Sequence, residues 1–234
     1  MTTHAEVPVQ GHGERHAENK ADLSPEFHVA HHFASADVQF NANKMGVWLF
    51  LVTEILLFGG MFCAFAVFRN WYFEGFVEAH HHLDKVMGGI NTLVLICSSL
   101  TMALAVRASQ LTQKKWVTIL LLLTLAFAGT FLVIKYFEYS HKIHDGLLPG
   151  KYFTAEGFTN PRQAGIFFAV YFMMTGIHGL HVLIGMGLIT WVLVRNLRGQ
   201  FSRRYYAPVE GVGLYWHLVD LIWIYLFPLL YLVG

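Results

Sequence analysis

Several ionisable side chains lie inside runs long and apolar enough to cross a bilayer. His178 and His181 stand in Gly176-Ile-His-Gly-Leu-His-Val, and His217 and Asp220 in Tyr215-Trp-His-Leu-Val-Asp. Each pair is spaced i, i+3, so each lies on one side of its helix. Glu54 is the only ionisable residue between Met45 and Phe68, near the middle of that run. An unpaired ionisable group facing hydrocarbon costs about 3 kcal/mol or more, so these groups must face protein, headgroups or trapped water. Glu54 either hydrogen-bonds a neighbouring helix or exchanges protons with a water-filled crevice, the second being a proton-related role. For the imidazoles three arrangements are open. A bis-histidine haem site needs one ligand from each of two helices, and His217 could face His178 or His181. A copper or zinc site from all three is geometrically possible. The residues favour the third: satisfied polar groups that join two helices. Asp220, on the face of His217, offers that imidazole a hydrogen-bond partner.

The chain positions these groups on membrane helices. Its 234 residues are 55% hydrophobic and 13% charged, with mean hydropathy +0.47, whereas a soluble domain carries about 25% charged residues. The expected fold is all-α: a bundle of five transmembrane helices over 45–68, 88–106, 116–136, 164–194 and 212–233, forming one domain from 44 to 234. Residues 1–43 read as a polar, His-rich tail without an apolar h-region, so the first span is expected to direct insertion. The short loops at 107–115 and 195–210 carry Arg107, Lys114, Lys115, Arg195, Arg198, Arg203 and Arg204 against one acid, Glu210. The positive-inside rule therefore puts the N-terminus in the cytoplasm and the C-terminus outside. Cys63 and Cys97 read as inert packing residues and His80-His-His as a solvated interfacial loop. Small residues such as Gly88, Gly89, Ser98 and Ser99 suggest that the second span is tightly packed, with Asn91 as an interhelical donor. No Lys/Arg stripe suits nucleic acid.

Four segments resemble subunit III of the haem–copper respiratory oxidases, the cytochrome c oxidase subunit III family in a five-helix form. They are Trp48-Leu-Phe-Leu-Val-Thr-Glu-Ile-Leu-Leu-Phe, Lys135-Tyr-Phe-Glu-Tyr, Thr175-Gly-Ile-His-Gly-Leu-His-Val and Glu210-Gly-Val-Gly-Leu-Tyr-Trp-His-Leu-Val-Asp-Leu-Ile-Trp. They occur in the family's order, and the resemblance runs from Met45 to the C-terminus. It implies a non-catalytic subunit of a cytochrome c oxidase-type complex, with no catalytic residue, metal ligand or redox centre of its own. Haem and copper belong to partner subunits. Implied partners are subunit I, other oxidase subunits and a larger respiratory supercomplex, in a bacterial inner membrane that the chain crosses several times. The complex would carry electrons from cytochrome c to oxygen while pumping protons.

By resemblance, Glu54 falls on the family's carbodiimide-reactive glutamate, which is tied to proton uptake. Glu138, His178, His181, Glu210, Trp216, His217 and Asp220 fall on its polar intramembrane contacts, and Arg195 on a position that meets phospholipid phosphate. Many members have seven helices; this chain lacks the first two, so the lipid cleft between helix groups needs another wall. A quinol oxidase subunit III and a nitric oxide reductase-associated homologue are the alternatives within this class. A stand-alone b-type haem membrane protein is the alternative from another class. A small transporter would show inverted repeats, and the sequence contains no convincing internal repeat.

Overall fold

A computed structural model describes residues 36–155, 157–199 and 207–232. Among them are six α-helices: α1 (Ala36–Trp71), α2 (Phe73–His80), α3 (Lys85–Gln110), α4 (Lys114–His144), α5 (Pro161–Leu197) and α6 (Ala207–Phe227). All but the short α2 are long and apolar enough to span a membrane, as the hydropathy predicts. Helices suit this sequence because lipid offers no partner for backbone N–H and C=O groups, and a helix satisfies them internally.

The helices outrun the apolar windows, because hydropathy marks only the stretch inside hydrocarbon while a helix continues to its cap. Residues 36–43, read as tail, form the first turns of α1; the His-rich stretch before them lies outside the described residues. Asp84 starts α3, its Oδ1 accepting from Val86 N at 2.9 Å and Met87 N at 3.1 Å. At the far end of α4, Gly146 has φ +73°, Leu147 N donates to Lys142 O and Gly146 N to Ile143 O. This Schellman closure requires the left-handed residue that glycine supplies, and Leu147 is buried beneath it. Pro161 opens α5, where its missing N–H costs nothing. After α6 the chain relaxes into a π turn, Pro228–Leu232, because Pro228 cannot donate to the helical ladder.

α6 is the axis of the bundle. Half of its apolar window is buried, against 22% for α1. It packs on α1, α3 and α5, and the α3–α4 hairpin closes against α5 and α6. Close approach depends on two glycines. A Cβ on Gly185 would sit 2.7 Å from Trp216, and one on Gly88 would sit 2.7 Å from Phe227. Three expectations change here. Cys63 and Cys97 are exposed on outer helix faces, so neither packs the core. Asn91 is fully buried, yet its amide finds no partner among the described residues. The histidine cluster is only partly solvated: His80 is buried at the end of α2, while His82 leans on Phe158.

Candidate functional site

The buried polar groups form separate interhelical contacts at successive depths. Glu54, on α1, is not isolated: its Oε2 lies 2.8 Å from His181 Nε2 on α5. The other ring nitrogen, Nδ1, lies 2.7 Å from Ile177 O, one turn back on the same helix. A carbonyl only accepts, so Nδ1 carries a proton. Between Nε2 and Oε2 there is then one further proton, held on imidazole or carboxyl. In either placement the pair is neutral overall, which is how a carboxyl and an imidazole can share a partly buried position within lipid. Phe58 packs edge-on to the imidazole at 5.2 Å, and the Tyr215 hydroxyl donates to His181 O at 3.0 Å.

His178 and His181 share a helix side but not a neighbour. The sixty-degree offset of an i, i+3 pair is enough to turn His178 toward α4 and α6. There it is fully buried between Phe131, edge-on at 5.6 Å, and Trp223, tilted at 5.2 Å. Neither of its ring nitrogens has a hydrogen-bond partner among the described residues.

His217 and Asp220 also part company, so the expected pairing between them is replaced by two contacts to α3. His217 Nδ1 lies 2.7 Å from Ser99 Oγ, and Asp220 Oδ2 lies 3.4 Å from Ser98 Oγ. Ser98 has a single proton, placed closer to Leu95 O at 2.8 Å, and its oxygen accepts from Trp216 Nε1 at 3.1 Å. Asp220 is therefore weakly served, and its Oδ1 has no partner among the described residues. Two adjacent serines of α3 thus meet two residues of α6 that are one helical turn apart.

The densest cluster surrounds Glu138. Its Oε2 accepts from Lys135 Nζ at 2.7 Å, and its Oε1 from the hydroxyls of Tyr171 at 2.8 Å and Tyr231 at 2.5 Å. Lys142 Nζ lies 3.7 Å from Oε1. Lys135 also donates to the Tyr231 hydroxyl at 2.7 Å and sits over the Trp223 ring at 4.5 Å. A buried ion pair holds together only when its remaining donors and acceptors are met. Here α4, α5 and the π turn supply them. Glu138 stands out in the sequence, whereas nothing marks Lys142, Tyr171 and Tyr231 there as its partners. The i, i+3 spacing of Lys135 and Glu138 was the available signal. Thr101 with Thr124, and Asn196 with Thr118, were likewise invisible in advance.

Glu210 lies at the start of α6, 3.5 Å from Lys44. The two flank a mostly apolar cleft of about 510 Å³ whose walls include Phe50, Trp191 and Tyr215. Arg195 stacks over Trp191 at 4.9 Å. Among the described residues no group of three or more His, Cys, Asp or Glu side chains is placed to hold a metal ion.

Comparison with known proteins adds a family match. The family described as cytochrome c oxidase subunit III matches residues 21–234, starting upstream of Met45, where the expected resemblance begins. The chain is 35% identical over 200 residues to a cytochrome c oxidase subunit 3 of Synechocystis sp., covering 82% of this chain and 76% of that one. It is 30% identical over 213 residues to a quinol oxidase subunit 3 of Bacillus subtilis, covering 88% and 97%. A protein of Aeropyrum pernix named heme-copper oxidase subunit I+III is 31% identical over 199 residues, covering 81% of this chain and 22% of that longer one.

Proposed function

The chain belongs to the cytochrome c oxidase subunit III family, and from that premise we propose that it is a cofactor-free accessory subunit of a haem–copper oxygen reductase, docked on the catalytic subunit I. The family match carries the reading, since residues 21–234 take in all five spans. The relative named subunit I+III joins the two subunits in one polypeptide, which supports direct contact between them. The site agrees: Glu54 is answered by His181, Glu138 by Lys135 and two tyrosines, and His217 by Ser99. These are contacts that join helices.

Cytochrome c is the electron donor in the first reading. Quinol is the second, supported by the Bacillus subtilis relative, which matches over nearly its whole length. The one exchangeable proton between Glu54 and His181 supports a role beside proton uptake. The apolar cleft at the basic end of the bundle supports phospholipid binding, with an acyl chain along Trp191 and the phosphate near Arg195. The loop charges support a cytoplasmic position for that end, and the membrane we propose is the bacterial inner membrane.

The test is isolation from native membranes in mild detergent, with partner identification and haem spectra. Subunit I and its haem should copurify at one copy per chain, and the haem absorbance should leave with subunit I when the complex is split. A Soret band that stays with this chain alone would overturn the proposal.

A further inference from the structure

α6 is covered on three sides and open on the fourth. Gly213 and Asp220 meet α3 at Val106 and Ser98, and Gly211 and Tyr215 meet α1 at Val47 and Phe50. Trp216 lies against Gly185 of α5. The arc between the α3 side and the α1 side carries His217, Leu221 and Ile224, with Leu221 50% and Ile224 45% exposed. α1 and α3 flank it, so the arc floors a trough.

One group in this trough is misplaced for a lipid-facing surface. His217 lies near the middle of the span from Ala207 to Leu232 and is only partly buried. Its Nδ1 is engaged by Ser99, while Nε2 has no hydrogen-bond partner among the described residues. Unlike the nitrogens of His178, Nε2 is not sealed inside the bundle. The exposed hydroxyls of Thr53, Thr130 and Thr190 differ, since each donates to a carbonyl three or four residues back. Those threonines can face hydrocarbon at little cost. A ring nitrogen with nothing to bond cannot, so at this depth protein or trapped water must cover it.

We infer that this trough seats a transmembrane helix of subunit I, and that His217 Nε2 hydrogen-bonds a polar group of that helix at mid-membrane. The inference rests on the proposed function. A second copy of the chain is the poorer complement, because its exposed threonine hydroxyls already donate to their own backbone. Subunit I is the partner that one relative carries in the same polypeptide.

The test is made on the complex in native membranes. A benzophenone amino acid replaces Leu221, or, as controls on other exposed faces, Leu122 of α4 or Leu180 of α5. Irradiation should join position 221 to subunit I, with little or no adduct from 122 and 180. Adducts from the control positions instead, or from 221 only to lipid or to a second copy, overturn the inference while leaving the proposed function standing. Failure of the unmodified chain to copurify with subunit I overturns both. As a second measurement, His217→Phe should lower the subunit III retained per subunit I in detergent about three- to tenfold, the range for interhelical polar contacts. His217→Gln should restore most of that retention, and equal retention in both variants also overturns the inference.

Discussion

The carboxyl of Glu54 and Nε2 of His181 are 127 positions apart in the chain and 2.8 Å apart in the bundle, within hydrogen-bond distance. This contact fastens α1, the least buried span, to α5. Removing either partner should act on both helices.

His181→Ala leaves the Glu54 carboxyl without its partner. The expected loss is about 1–3 kcal/mol, the usual cost of an orphaned buried group. Thermal unfolding in detergent measures it, and an unchanged midpoint would show that α1 is held by apolar packing alone.

Glu54→Gln keeps a hydrogen bond to the imidazole but removes the exchangeable proton. Initial oxygen reduction by the complex should stay close to that of the parent. Proton uptake or the number of turnovers before inactivation should fall. Stopped-flow proton uptake and sustained oxygen consumption are the measurements.

Ser99→Ala, rather than any change at Asp220, should unpair His217, because Ser99 holds Nδ1 at 2.7 Å. Asp220→Asn should be tolerated, since one carboxyl oxygen has no partner among the described residues and the other lies 3.4 Å from Ser98. Comparing the detergent stability of the two variants decides the matter: a larger loss from Asp220→Asn contradicts this arrangement.

Glu138→Ala would strand Lys135 and two tyrosine hydroxyls in the bundle. Losing one partner of a buried, hydrogen-bonded pair costs about 3–5 kcal/mol. Poor recovery of the folded chain is the expected result, with Tyr231→Phe far milder. Equal recovery of Glu138→Ala and the parent would mean the cluster is dispensable.

Acid should loosen α2. His80 lies outside the spans and is 6% exposed, and burial lowers its pKa below the ordinary 6.5 despite its hydrogen bond to Val77 O. A histidine whose folded pKa lies below its unfolded one favours folding above the unfolded value. That contribution fades as pH falls from about 6.5 toward the lower folded pKa. Hydrogen exchange over 73–80 should therefore accelerate below pH 6.5, and His80→Phe should remove the dependence.

Much of the architecture was legible in the sequence. Five spans follow from local hydropathy, and lipid dictates that such spans be helical whatever their neighbours. The ends of the spans were less legible, because Asp84, Gly146 and Pro161 close or open helices through caps that lie beyond the apolar windows. The identities of the polar groups were also readable, since Glu54, Glu138, His178, His181, His217 and Asp220 stand out against apolar surroundings.

Their partners were decided only by tertiary structure. Spacing along one helix gives a face, and a face says nothing about the rotation of the helix opposite. The packing of Gly185 on Trp216, Gly88 on Phe227 and Gly211 on Val47 fixes those rotations. Side-chain volume therefore decides that Glu54 meets His181 and that His217 meets Ser99 instead of Asp220. Sequence determined which groups had to be satisfied inside the membrane; the interlocking of helices determined what satisfies them.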